Sequence, residues 1–253
     1  MQDLTGKVAI VTGAARGLGA AYCVELARVG AAIVASDLRD CGETVGQVAT
    51  AGGKAIGVET DVANAASAQA MAEAALRAYG RIDVLVNNAA MYGNLHMGRF
   101  DALEEAEWDA CMAVNVKGLW QCSKAVVPAM RRQGGGSIIN VSSLAAVYGM
   151  PSFLHYATSK GAVIGFTRGL ARELGRDSIR VNAIAPSMVH TPGTAEALQD
   201  KLDRFAEAVR RNQTFQRNLQ PTDLIGTVLY LASEMSTFVT GQTIMVDGGT
   251  VYL

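Results

Sequence analysis

The sequence predicts an α/β fold in which one doubly wound parallel sheet carries helices on both faces, as a single domain over residues 1–253. Short runs rich in Val and Ile alternate with longer stretches of helical periodicity, as consecutive β-α-β units require. The strand-like runs are apolar at nearly every position, which is typical of parallel strands covered on both sides. No linker, repeat or change in composition divides the chain.

Seven runs are predicted as strands, and glycines follow several of the helical stretches between them. Gly30, Gly80 and Gly175 stand just beyond three of these stretches, where a C-terminal cap belongs. The predicted strands are 7–12, 32–37, 54–60, 82–87, 137–142, 179–185 and 242–246. The predicted helices are 18–29, 41–51, 65–79, 104–132 with a break near Asn115, 155–174, 191–211 and 223–232.

The helix predicted over 191–211 is an insertion between the sixth strand and the last core helix. Leu198, Leu202, Phe205 and Val209 recur at helical spacing within polar surroundings. It is either an ordinary surface helix or part of a lid over a site at the carboxyl end of the preceding strand. We expect a substrate lid at about 188–215.

Composition excludes several classes of protein. Half of the residues are hydrophobic, and 22 Lys and Arg balance 23 Asp and Glu, which excludes a disordered chain and gives no basic surface for nucleic acid. Apolar runs stay short of the ~18 residues that a membrane span needs. The four cysteines form no C-x-x-C pair and the three histidines are scattered, so we expect no metal. No signal peptide is recognised, and a cytoplasmic location is expected.

A glycine-rich turn follows the first strand and opens the first helix. It contains Gly13, Arg16, Gly17, Leu18 and Gly19. Glycines permit a tight turn and a close approach of a pyrophosphate, and the N-terminus of the helix offers free N–H groups to it. The spacing differs from the usual G-x-G-x-x-G, so a purely structural turn is the alternative to a dinucleotide site.

Asp37 ends the second strand, 18 residues beyond Gly19. A carboxylate there can accept hydrogen bonds from the adenosine ribose and repel a 2′-phosphate, which favours NAD over NADP. The alternative is a capping role at the next helix. Arg16 and Arg39 stand nearby, and either can pair with a 2′-phosphate.

Tyr156 and Lys160 are four residues apart and therefore share one face of a helix. A tyrosine with its ordinary pKa of ~10 is a poor acid or base near neutrality. A neighbouring ammonium group favours the phenolate, so the pair is suited to proton transfer with an alcohol oxygen. The adjacent His155 points away from Tyr156 on a helix and is interpreted as structural or pocket-lining.

The ordered set of motifs resembles the short-chain dehydrogenase/reductase family. After the glycine turn come residues 87–90 (NNAA), Asn115, Ser142 with Ser143, residues 156–160 (YATSK) and residues 246–249 (VDGG). The resemblance runs from about residue 5 to the C-terminus. It implies a Rossmann fold with seven parallel strands in the order 3-2-1-4-5-6-7, commonly assembled as a homotetramer. Ala90 and Ser187 stand where the family usually has glycine, which affects the expected shape of the pocket.

The resemblance also implies four catalytic residues. Tyr156 would be the general acid/base, and Lys160 would hold the nicotinamide ribose and lower the tyrosine pKa. Ser143, thirteen residues before the tyrosine, would bind the substrate oxygen, with Ser142 as the alternative. Asn115 would break its helix and hold a water that relays protons from Lys160; the alternative is an ordinary polar helix residue.

The same resemblance implies contacts to the cofactor, expected to be NAD. Asp61 would contact adenine, and Thr191 would contact the carboxamide of the nicotinamide. The implied cofactor-binding set is Gly13, Arg16, Gly17, Leu18, Gly19, Asp37, Asp61, Val62, Asn88, Tyr156, Lys160, Pro186, Val189 and Thr191. Position around Ser143 and Tyr156 predicts a substrate pocket lined by Met91, Leu144, Met150, Phe153, Met188, Leu198 and Phe205.

These expectations combine into an NAD(H)-dependent oxidoreductase that interconverts a secondary alcohol and a ketone. No Lys or Arg is evidently placed to bind a carboxylate or a phosphopantetheine carrier, which favours a neutral apolar substrate, aromatic or cyclic. One alternative is an NADPH-dependent 3-oxoacyl reductase. Another, of a different class, is a non-catalytic scaffold that senses NAD, for which a damaged Ser–Tyr–Lys set would be expected.

Overall fold

The computed structural model describes residues 3–252. Within them, seven strands form one sheet in the order β3-β2-β1-β4-β5-β6-β7, and every neighbouring pair is parallel. The order reverses between β1 and β4, as in a doubly wound sheet. The strands are β1 Val8–Thr12, β2 Ala32–Asp37, β3 Lys54–Glu59, β4 Val84–Asn87, β5 Gly136–Val141, β6 Ile179–Pro186 and β7 Thr243–Val246. The predicted fold class and strand order are confirmed.

Helices connect the strands and cover both faces of the sheet. α3 begins after Asn64, whose side chain accepts hydrogen bonds from two backbone N–H groups, and ends at Gly80 with φ of 77°. The helices are α1 Gly17–Arg28, α2 Gly42–Thr50, α3 Ala65–Tyr79, α4 Glu105–Met112, α5 Gly118–Arg132, α6 Ala145–Tyr148, α7 Leu154–Leu174, α8 Pro192–Leu198, α9 Leu202–Asn212 and α10 Pro221–Ala232.

Two hydrophobic layers lie on opposite faces of the sheet. Within β1, Ala9 and Val11 belong to the layer that packs against α1 and α10, whereas Val8 and Ile10 belong to the layer under α3 and α5. Successive side chains of a strand point to opposite faces, so burial on both faces requires an apolar residue at every position. Among the described residues, no helix combines the length and the hydropathy that a membrane crossing needs.

The predicted break near Asn115 is confirmed. A π-helical turn, Ala113–Lys117, separates α4 from α5, and Asn115 in its centre is fully buried. Such a turn contains one residue more than an α-helical turn and is found frequently at functional sites.

The prediction of one continuous helix over 191–211 is wrong. The segment folds as α8 and α9, separated by a short 3-10 turn at Gln199–Lys201. Gln199 has φ of 47°, which is incompatible with a continuous α-helix. Leu198, the last residue of α8, is 1% exposed, whereas Ala206 is the buried residue of α9.

Candidate active site

A cavity of about 940 Å³ opens at the carboxyl ends of the strands, beside the point where the strand order reverses. Ligands of open parallel sheets bind at this place, because the loops on either side of the reversal leave a crevice. The turn after β1 forms part of the wall, the ends of β2 and β3 form the far end, and residues of α8 and α9 also line the cavity.

The glycine turn forms one wall of the cavity. Gly13 and Gly17 have positive φ values of 66° and 61°, which L side chains rarely adopt. A Cβ at Gly13 would lie 2.8 Å from the Cα of Ala89, so the turn after β1 lies directly against the loop after β4. Arg16 precedes α1 without a side-chain cap, so the first N–H groups of this helix have no side-chain acceptor at the cap.

Gly19 is not among the residues that line the cavity, and its predicted place in the cofactor-binding set stays a prediction. A Cβ there would lie 2.1 Å from the carbonyl oxygen of Gly13 and 2.8 Å from Nδ2 of Asn88. The first turn of α1 is therefore pressed against the glycine turn. Gly19 supports the shape of the wall from behind.

Asn88 and Thr12 hold the glycine turn in place. Nδ2 of Asn88 donates to the carbonyl oxygens of Thr12 and Gly13, at 2.9 and 3.0 Å. The Thr12 hydroxyl accepts from the backbone N–H groups of Asn88 and Ala89, both at 3.1 Å. Asn88 also lines the cavity, as predicted for the cofactor-binding set.

Asp37 lies at the far end of the cavity with both carboxylate oxygens anchored to backbone. Oδ2 accepts from the N–H of Ala15 at 2.9 Å, and Oδ1 accepts from the N–H of Arg39 at 3.0 Å. The cap residue of α2 is Cys41, so Asp37 does not serve as the helix cap that was its alternative role. Other predicted cofactor contacts that line the cavity are Arg16, Leu18, Asp61, Val62, Pro186, Val189 and Thr191.

Ser143, Tyr156 and Lys160 meet at the opposite end of the cavity. Nζ of Lys160 donates to the carbonyl oxygen of Val141 at 2.8 Å and lies 5.6 Å from the centre of the Tyr156 ring. β5 ends at Val141, and α7 carries both the tyrosine and the lysine. The end of one strand and one helix face therefore assemble the three side chains.

Burial dominates the acid–base behaviour of this group. It raises the pKa of Tyr156 well above the ordinary value, with a contribution from the Tyr92 hydroxyl, while a hydrogen bond with Ser143 acts in the opposite direction. Burial also lowers the pKa of Lys160 to about 8. In the protein alone, therefore, the lysine does not produce the lowered tyrosine pKa that was expected from the sequence.

The two neighbouring serines have different environments. Ser142 is buried and its hydroxyl donates to the backbone carbonyl of Lys160 at 2.8 Å, so it is engaged within the protein. The Ser143 hydroxyl accepts from the N–H of Ala145 at 3.2 Å and is more accessible. This difference favours Ser143 over Ser142 as the serine that binds a substrate.

Asn115 lies behind the cavity and is not among the lining residues. Its side chain accepts from the N–H of Met91 at 2.7 Å and donates to the carbonyl of Met91 at 3.1 Å. It also lies within hydrogen-bonding distance of the Ser159 hydroxyl, at 3.1 Å. Asn115 therefore connects the loop after β4 to α7, and its predicted role in a proton relay stays a prediction.

Most of the residues predicted for the substrate pocket line the cavity. Five of its seven residues line the cavity: Met91, Leu144, Met150, Met188 and Phe205. Phe153 and Leu198 do not, because they lie at 0% and 1% exposure in a small hydrophobic cluster beneath the wall. The half-buried Tyr92 lines the cavity, with its ring centre 4.7 Å from that of Tyr156 and 5.8 Å from that of Phe153.

The lining residues that the sequence analysis did not place at the site include Tyr92 and Glu196. Tyr92 follows Met91 directly, so its place in the loop after β4 was a usable signal. Glu196 lies in α8 and forms an ion pair with Arg16 across 180 residues of sequence, which no local pattern indicates. Among residues 3–252, no group of three or more His, Cys, Asp or Glu is arranged to hold a metal ion.

Comparison with known proteins places this geometry in a family. Residues 13–251 match the family model described as enoyl-(acyl carrier protein) reductase. The short-chain reductase protein NovJ of Streptomyces niveus is 43% identical, over 96% of this chain and 93% of that protein. A 3-oxoacyl-[acyl-carrier-protein] reductase of Thermotoga maritima is 39% identical, over 98% and 99%. The (2S)-[(R)-hydroxy(phenyl)methyl]succinyl-CoA dehydrogenase subunit BbsD of Thauera aromatica is 38% identical, over 97% of each chain.

Solved structures agree. A protein of Sinorhizobium meliloti that is assigned as a short-chain alcohol dehydrogenase superposes with a TM-score of 0.92. The two chains are 32% identical, and the superposition covers 98% of each. A protein of Beutenbergia cavernae, also assigned and named as an NAD(P)-dependent gluconate 5-dehydrogenase, superposes with a TM-score of 0.90 at 36% identity, covering 98% of each chain. That structure was solved with NADP at low occupancy. The chain therefore belongs to the short-chain dehydrogenase/reductase family, whose members are oxidoreductases that use a nicotinamide cofactor.

Proposed function

We propose that the protein is an NAD(H)-dependent oxidoreductase that interconverts a neutral, apolar secondary alcohol and its ketone. The observation that carries the proposal is the meeting of Ser143, Tyr156 and Lys160 in a cavity whose lining also includes three methionines and several aromatic side chains. Proton-transferring groups and an apolar surface therefore face the same space.

The opposite end of the cavity fits a dinucleotide. Gly13 and Gly17 leave the wall free of side chains, and the uncapped start of α1 presents N–H groups and a partial positive charge to a pyrophosphate. Asp37 offers a carboxylate for ribose hydroxyls, and its charge opposes a 2′-phosphate. A nicotinamide cofactor bound here supplies or accepts a hydride.

The protein's own residues handle the proton and the orientation of the substrate. The buried Tyr156 keeps its proton, which suits donation to the oxygen of a ketone as that oxygen gains electrons. Ser143 binds the same oxygen and fixes its distance from the phenol. Lys160 would hold the ribose, and its positive charge near Tyr156 favours the phenolate, the form of the tyrosine that accepts the hydroxyl proton of an alcohol in the oxidative direction.

The substrate class follows from the aromatic and sulfur-rich wall. Tyr92 lies beside Tyr156, and Met91, Met150 and Met188 are adjacent, so a flat apolar group can contact rings and polarisable sulfurs. The name of the Thauera relative describes a hydroxyl on a carbon that carries a phenyl group. Both observations support an aromatic or cyclic substrate.

An NADPH-dependent 3-oxoacyl reductase is the second candidate. The Thermotoga relative carries that name, and the Beutenbergia structure contains NADP. Within this chain, Arg39 lines the cavity beside Asp37 and is a cation that a 2′-phosphate can use.

We also infer a lid and a tetramer. Residues of both α8 and α9 line the cavity, Phe205 among them, which supports a lid at about 188–215. Trp120 on α5 and Leu154 on α7 are 47% and 44% exposed, and burial of such side chains between copies favours assembly. Sedimentation of the purified protein measures the number of copies.

The test is a screen of aromatic and cyclic ketones with NADH and with NADPH, followed by absorbance of the reduced nicotinamide. Tyr156→Phe should lower kcat by about 10²–10⁴-fold, because the proton donor is lost. Tyr79→Phe removes a phenolic hydroxyl from α3, outside the cavity-lining residues, and is the matched control. Turnover by Tyr156→Phe equal to that of the control would exclude the assigned acid/base.

A further inference from the structure

An ion pair crosses the cavity between two segments that are distant in sequence. The guanidinium of Arg16, at the end of the glycine turn, donates to both carboxylate oxygens of Glu196 in α8, at 2.5 and 2.6 Å. Both residues line the cavity. Two parallel bonds between these planar groups fix their relative orientation, so Glu196 occupies the donors of Arg16 on that side.

The loop after β4 leaves room for this pair. A Cβ at Gly93 would lie 2.7 Å from Oε2 of Glu196 and 3.2 Å from its Cβ. A side chain at position 93 would therefore press against the carboxylate. Three loops, after β1, β4 and β6, meet around the Glu196 side chain.

Charges of alternating sign surround the pair. The hydrogen bond with Glu196 raises the pKa of Arg16, with a smaller contribution from Asp37, and the hydrogen bond with Arg16 lowers the pKa of Glu196, with a smaller contribution from Arg39. Asp37 is the residue placed to bind the adenosine ribose, so Arg16 is close enough to that site to interact with its charges. A 2′-phosphate there needs a cation, and the guanidinium of Arg16 is already neutralised.

We propose that Glu196 is a specificity-determining residue, which disfavours NADP by occupying Arg16 and leaving the 2′-phosphate without that cation. This inference rests on the proposed nicotinamide function and extends it from Asp37 to the covering segment. Arg16 is thereby a partner of the lid, and its interaction with a phosphate requires Glu196 to leave.

The size of the effect is limited by exposure. The side chains of Arg16 and Glu196 are 36% and 40% exposed, and such ion pairs contribute little because water and salt screen them. We expect removal of the Glu196 charge to change relative cofactor affinity by about fivefold at low salt.

The experiment measures dissociation constants of NADH and NADPH from the fluorescence of the reduced nicotinamide, without substrate. Glu196→Gln should raise the ratio Kd(NADH)/Kd(NADPH) by about fivefold relative to the wild type. The matched control is Glu207→Gln in α9, which removes an equal charge whose partners, Arg210 and Arg211, lie on the same helix. Its ratio should stay at the wild-type value.

A double variant tests whether the effect passes through Arg16. In Arg16→Gln/Glu196→Gln, the gain for NADPH should disappear. An unchanged ratio in Glu196→Gln, or a gain that persists without Arg16, overturns the proposal. A wild type that binds NADPH more tightly than NADH contradicts the NAD assignment of the proposed function instead, and the change between variants still measures the effect of Glu196.

Discussion

Gly19→Ala should damage the nucleotide-binding end of the cavity although residue 19 does not line it. An added Cβ would lie 2.1 Å from the carbonyl oxygen of Gly13, where real Cβ atoms keep at least 3.0 Å. The carbonyl must therefore recede by about 0.9 Å. Its neighbour Asn88 holds the same turn and would lie 2.8 Å from the new methyl group, so the whole turn must shift.

Two opposing effects set the magnitude. Alanine favours a helix over glycine by about 1 kcal/mol, whereas overpacking against a rigid backbone costs about 1–3 kcal/mol and more when nothing can yield. The carbonyl of Gly13 is backbone in a strained turn, so the upper part of that range applies. The net loss is about 1–2 kcal/mol, which lowers the Tm of a chain of this size by about 2–8 °C.

Calorimetry and NADH titration provide the assay. Gly46→Ala in α2 is the matched control, since a Cβ at Gly46 meets nothing within 4 Å and the helix should gain about 1 kcal/mol. Gly19→Ala should melt below the wild type and bind NADH at least tenfold more weakly. A Gly19→Ala variant with the Tm of the control and unchanged NADH affinity would refute the assigned packing role.

Three further predictions concern single side chains. Burial lowers the pKa of Lys160 from 10.5 to about 8, so the folded state loses this proton at lower pH than the unfolded state and the wild-type free energy of unfolding rises between these values. In denaturant unfolding, the free energy of unfolding of Lys160→Met minus that of the wild type should therefore fall by up to about 3 kcal/mol from pH 8 to pH 10.5. A difference that grows over this range would contradict the lowered pKa. Asn115→Ala leaves the buried backbone groups of Met91 unpaired and should cost about 2–4 kcal/mol in thermal unfolding, whereas the exposed Asn212→Ala should stay within about 0.5 kcal/mol. Asp37→Asn keeps an acceptor but removes the charge, and should raise NADPH affinity relative to NADH by about tenfold in titration; an unchanged ratio would exclude the charge effect.

The elements that could be predicted from the sequence are those with local physical causes. α3 was predicted with both ends correct, because Asn64 supplies a cap at one end and Gly80 adopts a left-handed conformation at the other. The central strands β1, β4 and β5 could be predicted because burial on both faces leaves no polar alternation. The face shared by Tyr156 and Lys160 follows from helical spacing alone.

The missed features depend on contacts between distant segments. The break at Gln199 requires a positive φ, which a glutamine in the sequence does not predict. Phe153 and Leu198 are apolar residues near the site, yet only packing decides that they lie beneath the wall. The partnership of Arg16 with Glu196 requires the strand order, which brings the loops after β1 and β6 to the same crevice.

The π-helical turn at Ala113–Lys117 also constrains the length of the chain. Deleting one residue there would allow a continuous α-helix but would rotate α4 by about 100° relative to α5. Asn115 would then lose its hydrogen bonds to the backbone of Met91, or Gly118 would lose its close packing against Val62. That packing is tight, since a Cβ at position 118 would lie 2.8 Å from the Val62 side chain. The locally more stable helix is therefore incompatible with the site, and the gain or loss of a single residue in this segment should be more damaging than substitution at its positions other than Asn115.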